Sequence, residues 1–200
     1  MKVLSLVKNI LLALGSLFLP FACNSDDEVS TPKPKGYFRI ALPEKTYVKY
    51  DSICPFTFYY PSYARIVPDE LKNAERCWIN IDFPWFKGKI HLSYKQINNN
   101  LRNYLEDSRD FVIKHQIKAS AIDEQVIRRD SSKVYGLIYF IRGNTASSIQ
   151  FYVTDSTQHF LRGALYFNTK PNADSLAPII DFIGRDIYKM TETFEWKNSK

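Results

Sequence analysis

The 200-residue chain contains only seven glycines and three histidines, and both scarcities restrict its chemistry. The glycine-rich phosphate loops GxGxxG and Walker A are absent, as are the catalytic motifs GxSxG and HExxH. His91, His115 and His159 are far apart in the sequence, whereas zinc sites usually contain one closely spaced pair of ligands. The missing motifs therefore weaken an enzymatic interpretation, and we expect a protein that is not an enzyme and has no metal and no cofactor.

Runs of like charge are also lacking. The formal net charge is +6, and 25 basic and 21 acidic residues are left once Lys2 and Lys8 are removed with the leader described next. Nucleic-acid-binding proteins instead cluster Lys and Arg on one face, with aromatic residues between them. This distribution argues against a nucleic-acid partner, while 45% hydrophobic and 15% aromatic content supports one well-packed domain.

Residues 1–22 have the pattern of a targeting segment. Lys2 and Lys8 precede an apolar run, Ile10–Ala22, that is shorter than the about 20 residues of a membrane span. Cys23 follows, which is typical of a lipoprotein signal peptide cut before a cysteine that then carries fatty acyl chains such as palmitate. The residues just before Cys23 depart from the usual cleavage pattern, so the alternative is an ordinary secretory signal with an incidental cysteine.

Three successive segments rich in Tyr, Phe, Ile and Val predict the centre of the folded part: Val134–Ile141, Ala146–Thr154 and Phe160–Phe167. The first is apolar on both pleat faces, so we expect a central strand that is covered on both sides. Earlier strands are predicted at 56–60 and 63–67, followed by a hairpin of 77–83 and 88–95. Residues 118–130 read as a connector that is partly helical at 122–127.

Two amphipathic helices are predicted. One follows the capping cluster Asn98–Asn100, and the other starts at Asp174, a candidate cap, and carries a long apolar stripe. The expected fold is a single α+β domain over residues 37–197, in which two helices pack on a mostly antiparallel sheet of about seven strands, an α/β/α-type sandwich. Residues 23–36 form an acidic, proline-containing tether.

Cys54 and Cys77 each precede a predicted strand. Because the cell envelope is oxidising, a Cys54–Cys77 disulfide is favoured, and closing a loop of this size stabilises a fold by roughly 3 kcal/mol. Two buried thiols are the alternative.

Two further places are candidates for contact with a partner. Trp85 and Phe86 lie in the turn of the predicted hairpin, where an exposed pair would dock a partner and a buried pair would pack under the domain. Arg162 lies within an otherwise apolar strand, and we expect either an ion pair with an internal acid such as Asp82 or a docking role.

Sequence segments from nearly the whole mature chain carry a family resemblance. They include PKPKGYFRI from Pro32, CPFTFYYP from Cys54, INIDFP from Ile79, HLSYKQINNNL from His91, GNTASSIQFYVTDST from Gly143, HFLRGALYFN from His159 and ETFEWK near the end. The chain resembles the gliding-motility lipoprotein GldD family of Bacteroidota. The resemblance implies a role in the cell-envelope apparatus of gliding, which is coupled to type IX secretion, and it implies no catalytic residue. The order of elements also resembles the PsbP/Mog1 fold, which usually serves assembly and binding.

The leading hypothesis is a membrane-anchored assembly or scaffolding factor of the gliding and secretion machinery. Its partners would be the membrane, through the lipid anchor, and other gliding and secretion envelope proteins. We expect it in the cell envelope, at the outer membrane, with the periplasmic or surface face left open. The alternative is a ligand-binding module for glycan, peptidoglycan or lipid, and an envelope hydrolase is disfavoured by the missing motifs.

Short acidic and Asp-Ser patterns are open to two interpretations. Residues 24–28 resemble the export tag of Bacteroidota surface lipoproteins, but they could equally be a solvated tether. Ser52, Ser156 and Ser175 each follow Asp in a pattern that resembles the O-glycosylation site of Bacteroidota envelope proteins. Asp-Ser is also what turns and helix caps prefer.

Overall fold

A computed structural model describes residues 40–197, and every structural statement refers to that part of the chain. The predicted signal segment, the tether, the tag and Cys23 all lie outside it. The strands are β1 (Tyr47–Asp51), β2 (Phe56–Pro61), β3 (Arg65–Pro68), β4 (Ile79–Phe83), β5 (Gly88–Gln96), β6 (Ala119–Arg129), β7 (Val134–Gly143), β8 (Ser147–Thr154), β9 (His159–Phe167) and β10 (Glu195–Trp196). The helices are α1 (Leu101–Ile113) and α2 (Ala173–Thr193), with 3₁₀ turns at Pro84–Phe86 and Asp130–Ser132.

Seven of these strands form one antiparallel sheet in the order β3-β4-β5-β9-β8-β7-β6. The other three form a small antiparallel sheet in the order β1-β2-β10. Helix α2 packs between β2 and β8, so that one face of the large sheet is covered by the helix and the small sheet. Helix α1 lies on the opposite face, over β9. The expected α+β class, with two helices on a seven-stranded sheet, is confirmed.

The central strand β7 is buried on both faces, as its sequence predicts. Val134 and Ile138 are in the large core on the α2 side, and Ile141 packs with Val112 of α1 on the other side. Tyr139 is 5% exposed on that second face, and burial raises the pKa of its phenol to about 12. A strand without a wet face needs helices on both sides, which is the arrangement that the structure has.

The predicted connector at 118–130 is wrong, because these residues form the 11-residue strand β6, paired with β7 from Ala119 to Arg129. The strand is at the edge of the sheet, and most of its residues are exposed on both faces. Charged side chains are a common protection of such edges, and they hide the alternation of apolar and polar residues that identifies a half-buried strand. Strand β1 was not predicted for the same reason.

The helix caps differ in detail from the expected ones. Asn100 is at the N-cap of α1, but its side-chain oxygen accepts from the N–H of Asn98 and caps no helical N–H. Helix α2 begins at Ala173, and the carboxamide of Asn172 accepts from the N–H of Ser175. The cap is therefore Asn172, two residues before the predicted Asp174.

Candidate binding site

The hairpin of β4 and β5 presents one aromatic side chain to solvent and buries its neighbour. Pro84 starts a 3₁₀ turn, and Lys87 ends it in the left-handed conformation, with φ 49° and its N–H donating to the Pro84 carbonyl. Trp85 is 72% exposed, whereas Phe86 is 8% exposed. From the sequence, either both residues were expected to be exposed or both to be buried. In the structure Trp85 is exposed and Phe86 is buried.

Phe86 fixes the turn to the core. Its ring is in edge contact with Tyr63 at 6.2 Å and with Phe182 of α2 at 5.8 Å between centroids. The neighbouring Asn168 N–H donates to the Lys87 carbonyl at 2.8 Å, which holds the end of the turn against the end of β9. Trp85 is therefore an exposed indole on a packed support.

A hollow of about 410 Å³ adjoins this turn on the α1 side of the sheet. We call it the β4–β5 hollow, and it is lined by Asp82, Lys87, Gly88, Lys89, His91, Tyr166, Phe167 and Asn168. The register places Lys89 between Asp82 on β4 and Tyr166 on β9. Basic and aromatic side chains thus meet at the end of the turn that carries Trp85. Lys89 and His91 were not among the residues predicted for a site.

Arg162 lies next to this hollow, on the same face of β9 as Tyr166. Its Nη2 donates to Oε1 of Gln150 at 2.6 Å, and its guanidinium stands 4.4 Å from the centroid of the Phe111 ring. Among residues 40–197 no carboxylate lies within ion-pair distance of it, and Asp82 is two strands away across the sheet. Burial lowers the pKa of Arg162 from its ordinary value, and the charge and hydrogen bond of the adjacent Tyr166 offset this only in part.

Two buried polar atoms on this face have no hydrogen-bond partner within the described part of the chain. They are Nε2 of Gln150, which is 1% exposed as a residue, and Oδ1 of Asn80, which is 4% exposed. The register aligns Asn80, His91, Ala164 and Gln150 in one row across four strands. Unpaired buried polar groups cost free energy, so their presence in one row marks this face for functional interpretation.

The histidines do not converge on a metal site. Burial lowers the pKa of His91, which lies 3.8 Å from Asp69, and burial followed by the charge of Arg162 lowers the pKa of His115. His159 is 8% exposed, and its Nδ1 is 2.8 Å from the Tyr94 hydroxyl. Over residues 40–197 the structure contains no group of three or more side chains placed to hold a metal ion.

A larger hollow, of about 700 Å³, lies elsewhere, between the β8–β9 turn and Trp196. A sugar would need a free aromatic face there, but the Trp196 ring is stacked on His159 at 5.1 Å and in edge contact with Phe194 at 4.7 Å. The indole therefore belongs to the aromatic core, and this hollow gives no specific support to glycan binding.

Cys54 and Cys77 are joined by a disulfide. Of the candidate glycosylation sites, Ser156 and Ser175 are exposed, and the hydroxyl of the partly buried Ser52 donates to the Tyr50 hydroxyl at 2.7 Å. Ser156 has a positive φ of 68° in the β8–β9 turn, consistent with a turn role for Asp155-Ser156.

With the site described, comparison with known proteins identifies the family. The profile of the gliding motility lipoprotein GldD family matches residues 27–196. The chain belongs to this family. The resemblance in the sequence segments is thereby confirmed, and the GldD chain is a lipid-anchored protein of the cell envelope with a part in gliding motility.

Other comparisons add little about the activity of this GldD chain. No curated protein matches it. A solved structure, the solution structure of cyanobacterial PsbP (CyanoP) from Synechocystis sp. PCC 6803, is similar to it at 10% identity with a TM-score of 0.47, over 80% of this chain and 97% of that one. Neither helix in residues 40–197 has the length and apolar character of a membrane span.

Proposed function

We propose that this GldD chain is a non-enzymatic assembly or scaffolding factor of the gliding machinery and of the type IX secretion coupled to it. It is held at the outer membrane by acyl chains on Cys23 and presents its folded domain, residues 37–197, to envelope proteins. The observation that carries the proposal is Trp85, 72% exposed beside a Phe86 that is 8% exposed.

An indole on a packed support suits protein docking. Single exposed hydrophobic residues are common on protein surfaces, so exposure alone would carry no weight. Trp85 differs because its turn is fixed by Phe86 and by Lys87, so little conformational entropy is lost when a partner covers the ring. Tryptophan is also the residue type most enriched among the dominant contacts of interfaces.

The test is to exchange Trp85 for Ala in the full-length chain and to cross-link and purify it from native membranes. We expect the variant to lose its stoichiometric envelope partners and to reduce gliding and cargo secretion, since a central Trp contributes about 2 kcal/mol or more. Ile117→Ala is the matched control, because Ile117 is 93% exposed and lies after α1. A Trp85→Ala chain that keeps its partners and supports gliding as the control does would refute the proposal.

The anchor is tested separately. Cys23→Ala should release the chain from membranes, and fractionation of the wild-type chain should place it with the outer membrane. A Cys23→Ala chain that stays in the membrane fraction and restores gliding would show that acylation of Cys23 is not the anchor.

A further inference from the structure

The β4–β5 hollow has an excess of positive charge next to the docking residue. The positive charge comes from Lys87, two residues after Trp85, and from Lys89 on β5. His91 also lines the hollow, but burial lowers its pKa, so it is a neutral imidazole there at neutral pH. Asp82 is the one carboxylate among the described residues that line it. Asp69 lies behind His91, with its oxygen 3.8 Å from the imidazole.

Arg162 lies beside the hollow, on the same face of β9 as Tyr166. Its strand neighbour Tyr166 lines the hollow and is in edge contact with His91 at 5.7 Å. A partly buried arginine usually pairs with a carboxylate, but the hydrogen-bond partners of Arg162 are the neutral amide of Gln150 and the side chain of Tyr166. Because a guanidinium has five N–H donors, it keeps donors for a further acceptor.

An unpaired buried atom in the same region is a second observation. Nε2 of Gln150 is a donor without a partner in residues 40–197, while Oε1 of the same amide accepts from Arg162. A carboxylate that approached Arg162 would bring acceptor oxygens to the donors that lack them.

We propose that the β4–β5 hollow, together with Trp85 on the adjoining turn, binds an acidic segment of a partner protein. Carboxylates of that segment pair with Lys87 and Lys89 and approach Arg162 beside the hollow, and an apolar side chain of the segment covers the Trp85 indole. The inference rests on the proposed docking function of Trp85 and specifies the chemistry of the partner.

A protein segment fits this surface better than an anionic lipid surface. Polybasic membrane-binding segments contain roughly four to eight clustered Lys or Arg residues, whereas this rim has Lys87 and Lys89. Asp82 lies directly opposite Lys89 in the register. A concave site that combines charges of both signs with one indole matches a segment of mixed acidic and apolar residues.

The experiment uses the full-length acylated chain in uncharged detergent. The probe is a rhodamine-labelled peptide of alternating Glu and Leu, its control has Gln in place of Glu, and binding is followed by fluorescence anisotropy. The variant K87Q/K89Q removes both lysine charges, and K49Q is its control, because Lys49 is exposed on β1 of the small sheet.

We expect the Glu peptide to bind more tightly than the Gln peptide, and we expect its binding to weaken with added salt. Binding should weaken about fivefold in K87Q/K89Q and stay unchanged in K49Q, the size expected for two partly exposed ion pairs. W85A should weaken the binding of both peptides, because it removes the apolar contact with the indole.

Equal binding of the two peptides, or an unchanged affinity in K87Q/K89Q, would overturn the inference. So would binding to phosphatidylglycerol vesicles through the two lysines with no binding of the Glu peptide. The two proposals fail separately: if W85A loses its native partners while the Glu peptide does not bind, only the acidic-segment inference fails. If W85A keeps them, the docking function fails.

Discussion

The ammonium group of Lys45 lies 2.6 Å from a carboxylate oxygen of Asp186, in the middle of α2. The same carboxylate accepts from the hydroxyls of Tyr47, at 2.9 Å, and Tyr63. Lys45 also donates to the Phe182 carbonyl and lies 3.6 Å from the centroid of the Phe182 ring. One buried acid, 2% exposed, thus joins the segment before β1, the segment after β2 and the long helix.

Asp186→Ala should destabilise the fold strongly. Burial and the nearby Asp186 raise the pKa of Tyr47 to about 12, so its phenol stays protonated and donates to the carboxylate at neutral pH. Removing Asp186 leaves Lys45 without its counter-ion and two phenols without their acceptor, and we expect a loss of about 3 kcal/mol in the free energy of unfolding. Urea denaturation of the full-length chain measures it.

Lys45→Met is the comparison for that variant. Removing Lys45, which is 23% exposed in its side chain, leaves the buried Asp186 with both phenol donors but without its counter-charge, so we expect a cost of about 2 kcal/mol, smaller than that of Asp186→Ala. If Lys45→Met costs as much as Asp186→Ala, the two phenols do not compensate the buried carboxylate, and its stability depends on the charge of Lys45.

The disulfide should contribute to stability independently of this network. Cys54 and Cys77 are 23 residues apart in the sequence, and cross-linking a loop of that length restricts the unfolded chain by roughly 3 kcal/mol. We expect the double variant C54S/C77S to unfold at a lower urea concentration. The midpoint should fall by that free energy divided by the slope of the free energy of unfolding against urea concentration. Reduction of the wild-type chain should reproduce the effect and leave the double variant unchanged; a midpoint insensitive to reduction would contradict this account.

Sequence reasoning located the strands whose burial leaves a clear pattern. Strands β7, β8 and β9 were predicted from their Tyr, Phe, Ile and Val content, because sheet interiors select these residues. Strand β6 was missed because an exposed edge has no hydrophobic alternation to detect. The short β10 contributes Trp196 to the pairing with β2, a contact that only the tertiary structure creates.

Trp85, Phe86 and Arg162 were predicted from the sequence as site candidates, but their contacts were not, and Lys89 and His91 were not predicted. The expected pairing of Arg162 with Asp82 required the strand order, because β5 lies between β4 and β9 and places Ser93 opposite Arg162. Likewise, a hairpin turn with two aromatic residues does not show which of them faces the core. Phe86 faces the core because its ring packs against Tyr63 and Phe182, which are distant from it in the sequence.

Gly163→Ala should be poorly tolerated, because Gly163 makes room for Phe151. A Cβ at this position would lie 2.1 Å from Cζ of the Phe151 ring, whose residue is 2% exposed. The ring has no free space to move into, so we expect a loss of about 2 kcal/mol in the free energy of unfolding. In the background Phe151→Leu the added methyl group meets a smaller side chain, and the same substitution should cost less. Equal costs in both backgrounds would exclude this contact as the cause.

Stability should fall as the pH falls through the range in which unfolded histidine titrates. Burial is the leading cause that lowers the pKa values of His91, His115 and His159 from the ordinary 6.5. Below that value the unfolded chain binds protons that the folded chain does not yet bind, so the free energy of unfolding decreases with falling pH. Above it the contribution is fully present.

The melting temperature of the full-length chain, measured from about pH 7.5 to about pH 5.5, tests this sign. His159→Gln should flatten the dependence of the melting temperature on pH, because this histidine is 8% exposed. It should also lower stability at every pH by removing the partner of the Tyr94 hydroxyl.

Titration of Asp155 does not interfere with this measurement. Burial raises the pKa of Asp155, but the N–H groups of His159, Thr157 and Gln158 lower it below 3.8, so its contribution is lost only under more acidic conditions. A melting temperature that rises as the pH falls from about 7.5 to about 5.5 would show that the histidines gain protons on folding. The burial argument would then be wrong.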